Sequence, residues 1–165
     1  MRLNLNYISI IIFIVFISTN LYAGKIIVDR KSSINTIQKA IALAKPYDEI
    51  IINEGIYAEA DIIIDMPLHL IGKKYPTIDG EGKFEIITVH SDSVFISGII
   101  FKNAGVNYLK ENAGVRFEKV KDCSITDCKF YNNFFGIYIA ASTNCLIQNN
   151  FIQSYGKSET SSGNG

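Results

Sequence analysis

Three stretches of this chain can be laid one above another without a gap. They are Val94-Phe-Ile-Ser-Gly-Ile-Ile-Phe-Lys-Asn103, Cys123-Ser-Ile-Thr-Asp-Cys-Lys-Phe-Tyr-Asn132 and Cys145-Leu-Ile-Gln-Asn-Asn-Phe-Ile-Gln-Ser154. Ile96, Ile125 and Ile147 then share one column. Gly98, Asp127 and Asn149 share a turn position, and Phe101, Phe130 and Ile152 share the next apolar column. A second block keeps the register: Gly114-Val-Arg-Phe117 stands nine residues before Cys123, and Gly136-Ile-Tyr-Ile139 nine before Cys145 (123 − 114 = 145 − 136). A repeat this short cannot bury an apolar face by itself, so its copies must stack.

The period inside each repeat is that of short strands with alternate apolar residues, which predicts an all-β, right-handed parallel β-helix. Successive coils lie about 4.8 Å apart, so equivalent positions become touching ladders. A helical solenoid needs apolar positions at period 3.6, and none occurs after Pro46. Strands are also expected at residues 25–28, 49–52, 68–71, 84–89, 94–97 and 99–101, where apolar runs are bounded by Asp, Asn, Gly and Ser. One helix is expected over residues 34–45. Ile34, Ile37, Ile41 and Ala44 recur at helical spacing, Ser33 or Asn35 is placed to cap it, Gln38 completes a capping box with Asn35, and Pro46 stops it. Such a helix suits a plug over the open first coil, whose strand edges are otherwise unpaired.

Coil lengths alternate. Val94 to Cys123 is 29 residues and Cys123 to Cys145 is 22, so one turn position takes seven extra residues (29 − 22) in alternate coils. The extra segments are Ala104 to Asn112 and Tyr155 to Asn164, both expected to leave the same edge of the stack. They are either binding loops or tolerated surface excursions. The stack shows no C-terminal cap in this sequence, because Gly165 falls where the next Gly-Ile-Tyr-Ile-like strand should begin. A C-terminally truncated solenoid of four or five coils is therefore expected.

The first 23 residues follow a different rule. Arg2 precedes the apolar run Tyr7 to Ile17, then the polar Ser18-Thr-Asn20, then Ala23 at the expected cleavage point. That run is short of the roughly 20 residues a membrane span needs, so residues 1–23 are expected to be a signal peptide and residues 24–165 the exported β-helix. An uncleaved tether is the alternative, since Leu21 is not the small residue preferred at that site. With 16 basic and 16 acidic residues and no basic run, a nucleic-acid partner is not expected.

The residues that could carry chemistry are few. Cys123 and Cys145 fall in one inward column, and Cys128 in the next, level with Ile99 and Asn150. Three readings stay open: small buried hydrophobes, a Cys123–Cys145 disulfide in an oxidising compartment, or a three-thiol copper or zinc site without a His. His69 is expected to face outward between Leu68 and Leu70, and His90 to sit at a turn. Met66 is solitary once residues 1–23 are removed. Asp79-Gly-Glu-Gly82 reads as an ordinary turn rather than a calcium loop. Glu49, Glu54, Glu59, Asp61 and Asp65 form no pair at hydrolase distance, and no Ser–His–Asp set or phosphate-cradling Gly loop occurs. No catalytic or cofactor-binding residue is therefore assigned, and the metal ligands, if any, are unknown.

Resemblance adds what these residues do not carry. The segment Ile34 to Ala60 is similar to the opening of right-handed β-helix proteins in general, carbohydrate lyases and hydrolases included. Asp65-Met-Pro-Leu-His-Leu-Ile-Gly-Lys-Lys-Tyr-Pro-Thr-Ile-Asp-Gly80 is more particular. With Phe84-Glu-Ile-Ile87, Phe134-Phe-Gly-Ile-Tyr-Ile139 and Ser162-Gly-Asn-Gly165, it resembles the NosD family. The resemblance implies a periplasmic, non-enzymatic accessory that works with an ABC transporter to deliver copper to nitrous oxide reductase, and a family longer than this sequence. The paucity of Met and His departs from a copper carrier's composition, so no metal residue is transferred. The alternative is a carbohydrate-binding or polysaccharide-cleaving β-helix. A lyase calls for Asp carboxylates with Arg or Lys on one parallel sheet, and the sequence shows no such cluster.

Overall fold

The computed structural model describes residues 23–106 and 112–154. The expected signal peptide, up to Tyr22, lies outside them, as do most of the first extra segment's tip and the second extra segment from Tyr155 onward. Strand β1 (Lys25–Val28) and helix α1 (Ile37–Leu43) open the fold. Strands then come in threes. The first coil holds β2 (Glu49–Ile52), β3 (Ile56–Ala58) and β4 (Ile62–Ile64); the second holds β5 (His69–Gly72), β6 (Thr77–Asp79) and β7 (Ile87–Val89). The third holds β8 (Phe95–Ser97), β9 (Ile100–Lys102) and β10 (Ala113–Glu118); the fourth holds β11 (Ser124–Thr126), β12 (Lys129–Tyr131) and β13 (Phe135–Ala140). A further pair follows, β14 (Leu146–Gln148) and β15 (Phe151–Gln153).

Each member of a triplet joins a different sheet. Sheet A runs β1-β2-β5-β8-β11-β14, sheet B runs β3-β6-β9-β12-β15 and sheet C runs β4-β7-β10-β13. Neighbouring strands pair parallel, the arrangement of a parallel β-helix. The expected columns stand: Ile96 pairs with Ile125 and Ile125 with Ile147, while Phe101 pairs with Phe130 and Phe130 with Ile152. The Phe101 and Phe130 rings stack at 5.1 Å. The sequence reading missed β3, β4 and β6, which are only three residues each. It also set β5 one residue early, at 68–71, and began β7 three residues early, at 84. Three-residue strands give alternation too little length to register, and their pairing partners lie a whole coil away.

In the last three coils the corner between sheets A and B uses a left-handed residue. Gly98, Asp127 and Asn149 supply it at φ 67°, 53° and 57°, conformations that Gly, Asn and Asp tolerate best. Gly72 is required for a different reason: a Cβ there would stand 2.1 Å from the carbonyl oxygen of Gly98. Asn side chains close other corners. Asn132 donates to Asn103 Oδ1 (2.8 Å), and Asn103 donates to Asp79 Oδ1 (2.9 Å). Inside, Asn133 accepts from the Ala104 N–H and donates to the Phe101 carbonyl. Asn150 does the same for Cys128 and Ile125 one coil later. These bonds satisfy backbone groups that the corners remove from the ladders.

Helix α1 plugs the first coil as expected, but it is shorter. It spans Ile37–Leu43, and Thr36 rather than Ser33 or Asn35 is its N-cap, accepting from the Lys39 N–H. The reason lies upstream: Ser32 and Asp29 hold Ile34 in a closed turn through three hydrogen bonds, so the chain cannot become helical until after it. Gln38 completes no capping box and donates instead to the Ala60 carbonyl. The two free N–H groups of Ile37 and Gln38 are met by the Glu59 carboxylate from the coil above, at 2.8 and 3.0 Å. Ile37, Ala40 and Ile41 are buried, and α1 packs on β1, β2 and β4. Sheets B and C begin only with β3 and β4, so the helix covers the side of the opening where they have no earlier strand.

The column structure predicts where substitution hurts. Phe130→Ala, which removes a fully buried ring, is expected to cost about 3–5 kcal/mol. Leu43→Ala, at a side chain 57% exposed on α1, should stay within about 0.5 kcal/mol. Urea denaturation of the two variants measures both.

Candidate functional site

Sheet A carries two of the three thiols just outside its strands. Lys121 bridges Thr143 in parallel, Ser124 pairs with Leu146, and the Leu146 N–H donates to the Cys123 carbonyl at 2.9 Å. Cys123 therefore lies directly beneath Cys145 in one inward column. Each thiol donates to the carbonyl two residues before it, Cys123 to Lys121 at 3.4 Å and Cys145 to Thr143 at 3.6 Å, and Cys123 Sγ also lies 3.5 Å from the Ser91 carbonyl. Cys128 lies across the Asp127 corner, where its N–H donates to Asn150 and its thiol to the Thr126 carbonyl. It joins the neighbouring inward column with Ile99 and Asn150, where the sequence placed it. All three are free thiols.

Their environments differ. Cys123 and Cys128 are both buried, while Cys145 is half-buried. Burial pushes the Cys128 thiol up to about 11. Burial also raises Cys123, and proximity to Cys145 and Asp92 adds to the rise, while the Val94 and Ser93 N–H groups oppose it. Such thiols are protonated at neutral pH and chemically quiet.

Apart from Asp61 and His90, which line one groove, the other candidates lie apart. His69 faces outward and meets Phe95 edge to face at 4.7 Å; His90 is exposed after β7. Met66 packs partly against the core. Asp79 is a turn acceptor, bonded by the Glu81 N–H and Asn103 and paired with Lys102 at 3.3 Å. Burial tends to raise its carboxyl, but these donors outweigh that and hold it below its ordinary value. Glu49 pairs with Lys25, Glu54 with Lys74, and Glu59 caps α1. Among the described residues, no group of three or more His, Cys, Asp and Glu side chains is placed to hold a metal ion.

One arrangement escaped the sequence. The sequence shows no Asp carboxylates gathered with Arg or Lys on one sheet, and the fold brings together instead a Glu–Arg pair on sheet C. Glu85 pairs with Arg116 at 2.7 Å, with both side chains largely buried. Arg116 also lies over the Tyr138 ring at 4.1 Å. Glu85 and Arg116, with Asp61, Phe84, Thr88, His90 and Glu118, line a groove of about 410 Å³ at the foot of the first extra segment, reaching Val106 and Asn112. Glu85 further accepts from Thr88 and from the Ala113 N–H, so its oxygens are occupied and it is poorly placed as a general acid. Half of this cluster was legible: aligning Gly114 with Gly136 puts Arg116 beside Tyr138. Glu85 was not, because it lies before its strand and reaches across.

Thiol reactivity tests the site. In the native protein at pH 8, a disulfide reagent should modify Cys145 first, Cys123 slowly and Cys128 last; in denaturant all three should react at one rate. Mass-spectrometric mapping over time checks the order.

No curated protein and no solved structure gives a significant match. Residues 35–163 match the protein family described as "Periplasmic copper-binding protein (NosD)". That is 129 residues (163 − 35 + 1) of the 165, and it runs from before α1 through all the described coils. The match spans the described coils of the parallel β-helix from β2 to β15, and the chain belongs to the NosD family of right-handed β-helix proteins.

Proposed function

We propose that the protein is a periplasmic accessory that helps deliver copper to the copper centre of nitrous oxide reductase, in company with an ABC transporter. The family match over nearly the whole β-helix carries this reading. Residues 1–23 are the protein's export signal, cleaved after Ala23. Among the described residues no helix is long and apolar enough to cross a membrane.

The sheet C groove favours a second reading, carbohydrate binding without cleavage. It offers mixed donors and acceptors beside the exposed Phe84 ring, but the bonding of Glu85 to Arg116, Thr88 and Ala113 argues against a lyase or hydrolase.

Copper loading of nitrous oxide reductase decides the first reading. In a strain lacking the full-length gene, the purified reductase should be copper-poor and inactive, and the restored gene should return both. Normal copper content without the gene overturns the reading.

A further inference from the structure

A buried carboxylate lies beside the start of β1. Asp48 is 7% exposed, and backbone groups engage both of its oxygens. Oδ2 accepts from the Lys45 N–H at 2.9 Å, and Oδ1 from the Gly24 N–H at 2.6 Å. Among the described residues no Lys, Arg or His side chain pairs with it, and Lys25, next to Gly24, is paired with Glu49 at 3.2 Å. An anion buried among neutral donors alone is unfavourable, because charge in a protein interior calls for a counter-charge. We propose that the counter-charge is a new N-terminus: cleavage after Ala23 turns the Gly24 nitrogen into an α-ammonium that pairs with Asp48 and locks β1 to the first coil. The inference rests on the reading of residues 1–23 as a leader cut after Ala23 and is independent of copper delivery.

The geometry is prepared for this bond. Gly24 stands first after the expected cut, and its nitrogen already lies at hydrogen-bond distance from Oδ1. Its carbonyl is held too, accepting from the Glu49 N–H at 2.9 Å where the β1–β2 ladder begins. Asp48 is equally fixed. Its own N–H donates to the Lys45 carbonyl at 3.1 Å, closing a turn through Pro46 and the left-handed Tyr47 at φ 72°. The Tyr47 N–H in turn donates to the Pro67 carbonyl at 2.6 Å. Glycine suits this approach, since a Cβ on Gly24 would stand 2.9 Å from Oδ1 and push the carboxylate away.

The step balances as a hydrolysis by a leader peptidase. Water adds across the Ala23–Gly24 bond; its oxygen stays on Ala23 as a carboxylate, and its two protons complete an ammonium on Gly24. An α-amino group with its ordinary value of about 8 is mostly charged at pH 7. The uncut chain thus offers Asp48 a neutral amide, and the cut chain offers a cation at the same place. Charge-assisted bonds are roughly twice as strong as neutral ones. Chain ends fray unless tied down, and β1 is an edge strand of sheet A, paired only with β2. Processing therefore ties down the strand that opens the stack.

The test is a double-mutant cycle at pH 7 on two versions of the exported chain. One begins at Gly24; the other begins at Leu21, which moves the amino group three residues away. Thermal melts should place the Gly24 version about 4 °C above the longer one, and Asp48→Asn should abolish that difference. Gly24→Ala, with the amine kept, should lose most of the gain. Should Asp48→Asn not fold, selective acetylation of the Gly24 α-amine decides alone, because it restores a neutral amide and leaves Asp48 in place: the melting temperature should fall to that of the longer chain. Equal melting of the two versions, a difference that survives Asp48→Asn, or no fall on acetylation overturns the lock. Sequencing the N-terminus of the exported protein separates the lock from the reading beneath it. A first residue other than Gly24 refutes the cut and the lock together, whereas Gly24 first with equal melting refutes the lock and leaves the cut standing.

Discussion

Parallel hydrogen bonding between equivalent strands of successive coils is the constraint from which the rest follows. Each rung takes its donors and acceptors from the rung below, as Ser124 does from Val94 and Leu146 from Cys123. That requirement fixes the rise and forbids slippage, because a shift by one residue would turn the apolar set to solvent. Side chains are then stacked by identity of position. The Ile96–Ile125–Ile147 and Phe101–Phe130–Ile152 columns are consequences of the backbone rather than separate packing solutions.

Closing each coil costs hydrogen bonds at the corners, and polar side chains replace them. Asn133 and Asn150 insert into the core and bond both ways to backbone groups; Asn103, Asn132 and Asp79 make an outer ladder. The same economy governs the start of the stack. Glu59 meets two N–H groups of α1, and Asp48 accepts from the N–H groups of Gly24 and Lys45. Burial raises the Glu59 carboxyl, against the pull of the two helix N–H groups. Its folded value thus lies above its unfolded one, so the preference for the protonated form favours folding at acid pH and fades as pH rises through that folded value.

A scaffold of this kind separates its surfaces. The inward columns hold two thiols in register and a third apart from them. The outward face of sheet C holds a paired Glu85 and Arg116 beside a groove at the foot of an extra segment.

Much of this was written in the chain. Repeating Ile and Phe with Gly, Asp or Asn between them carries coil length, register and the three corner residues, because each is a local demand of a short strand or a left-handed turn. The plug helix was legible from its apolar spacing, and Cys123, Cys128 and Cys145 from their places in the repeat. What escaped were contacts made across coils. Thr36 caps α1 because Ser32 and Asp29 first close a turn around Ile34. Glu59 reaches the helix from a coil above, and Glu85 finds Arg116 31 residues away. The three-residue strands β3, β4 and β6 exist only because a neighbour supplies their hydrogen bonds. Local conformation follows from neighbours in the chain, whereas pairing of charges and completion of caps depend on which rung lies above which, and that is settled only when the coils close.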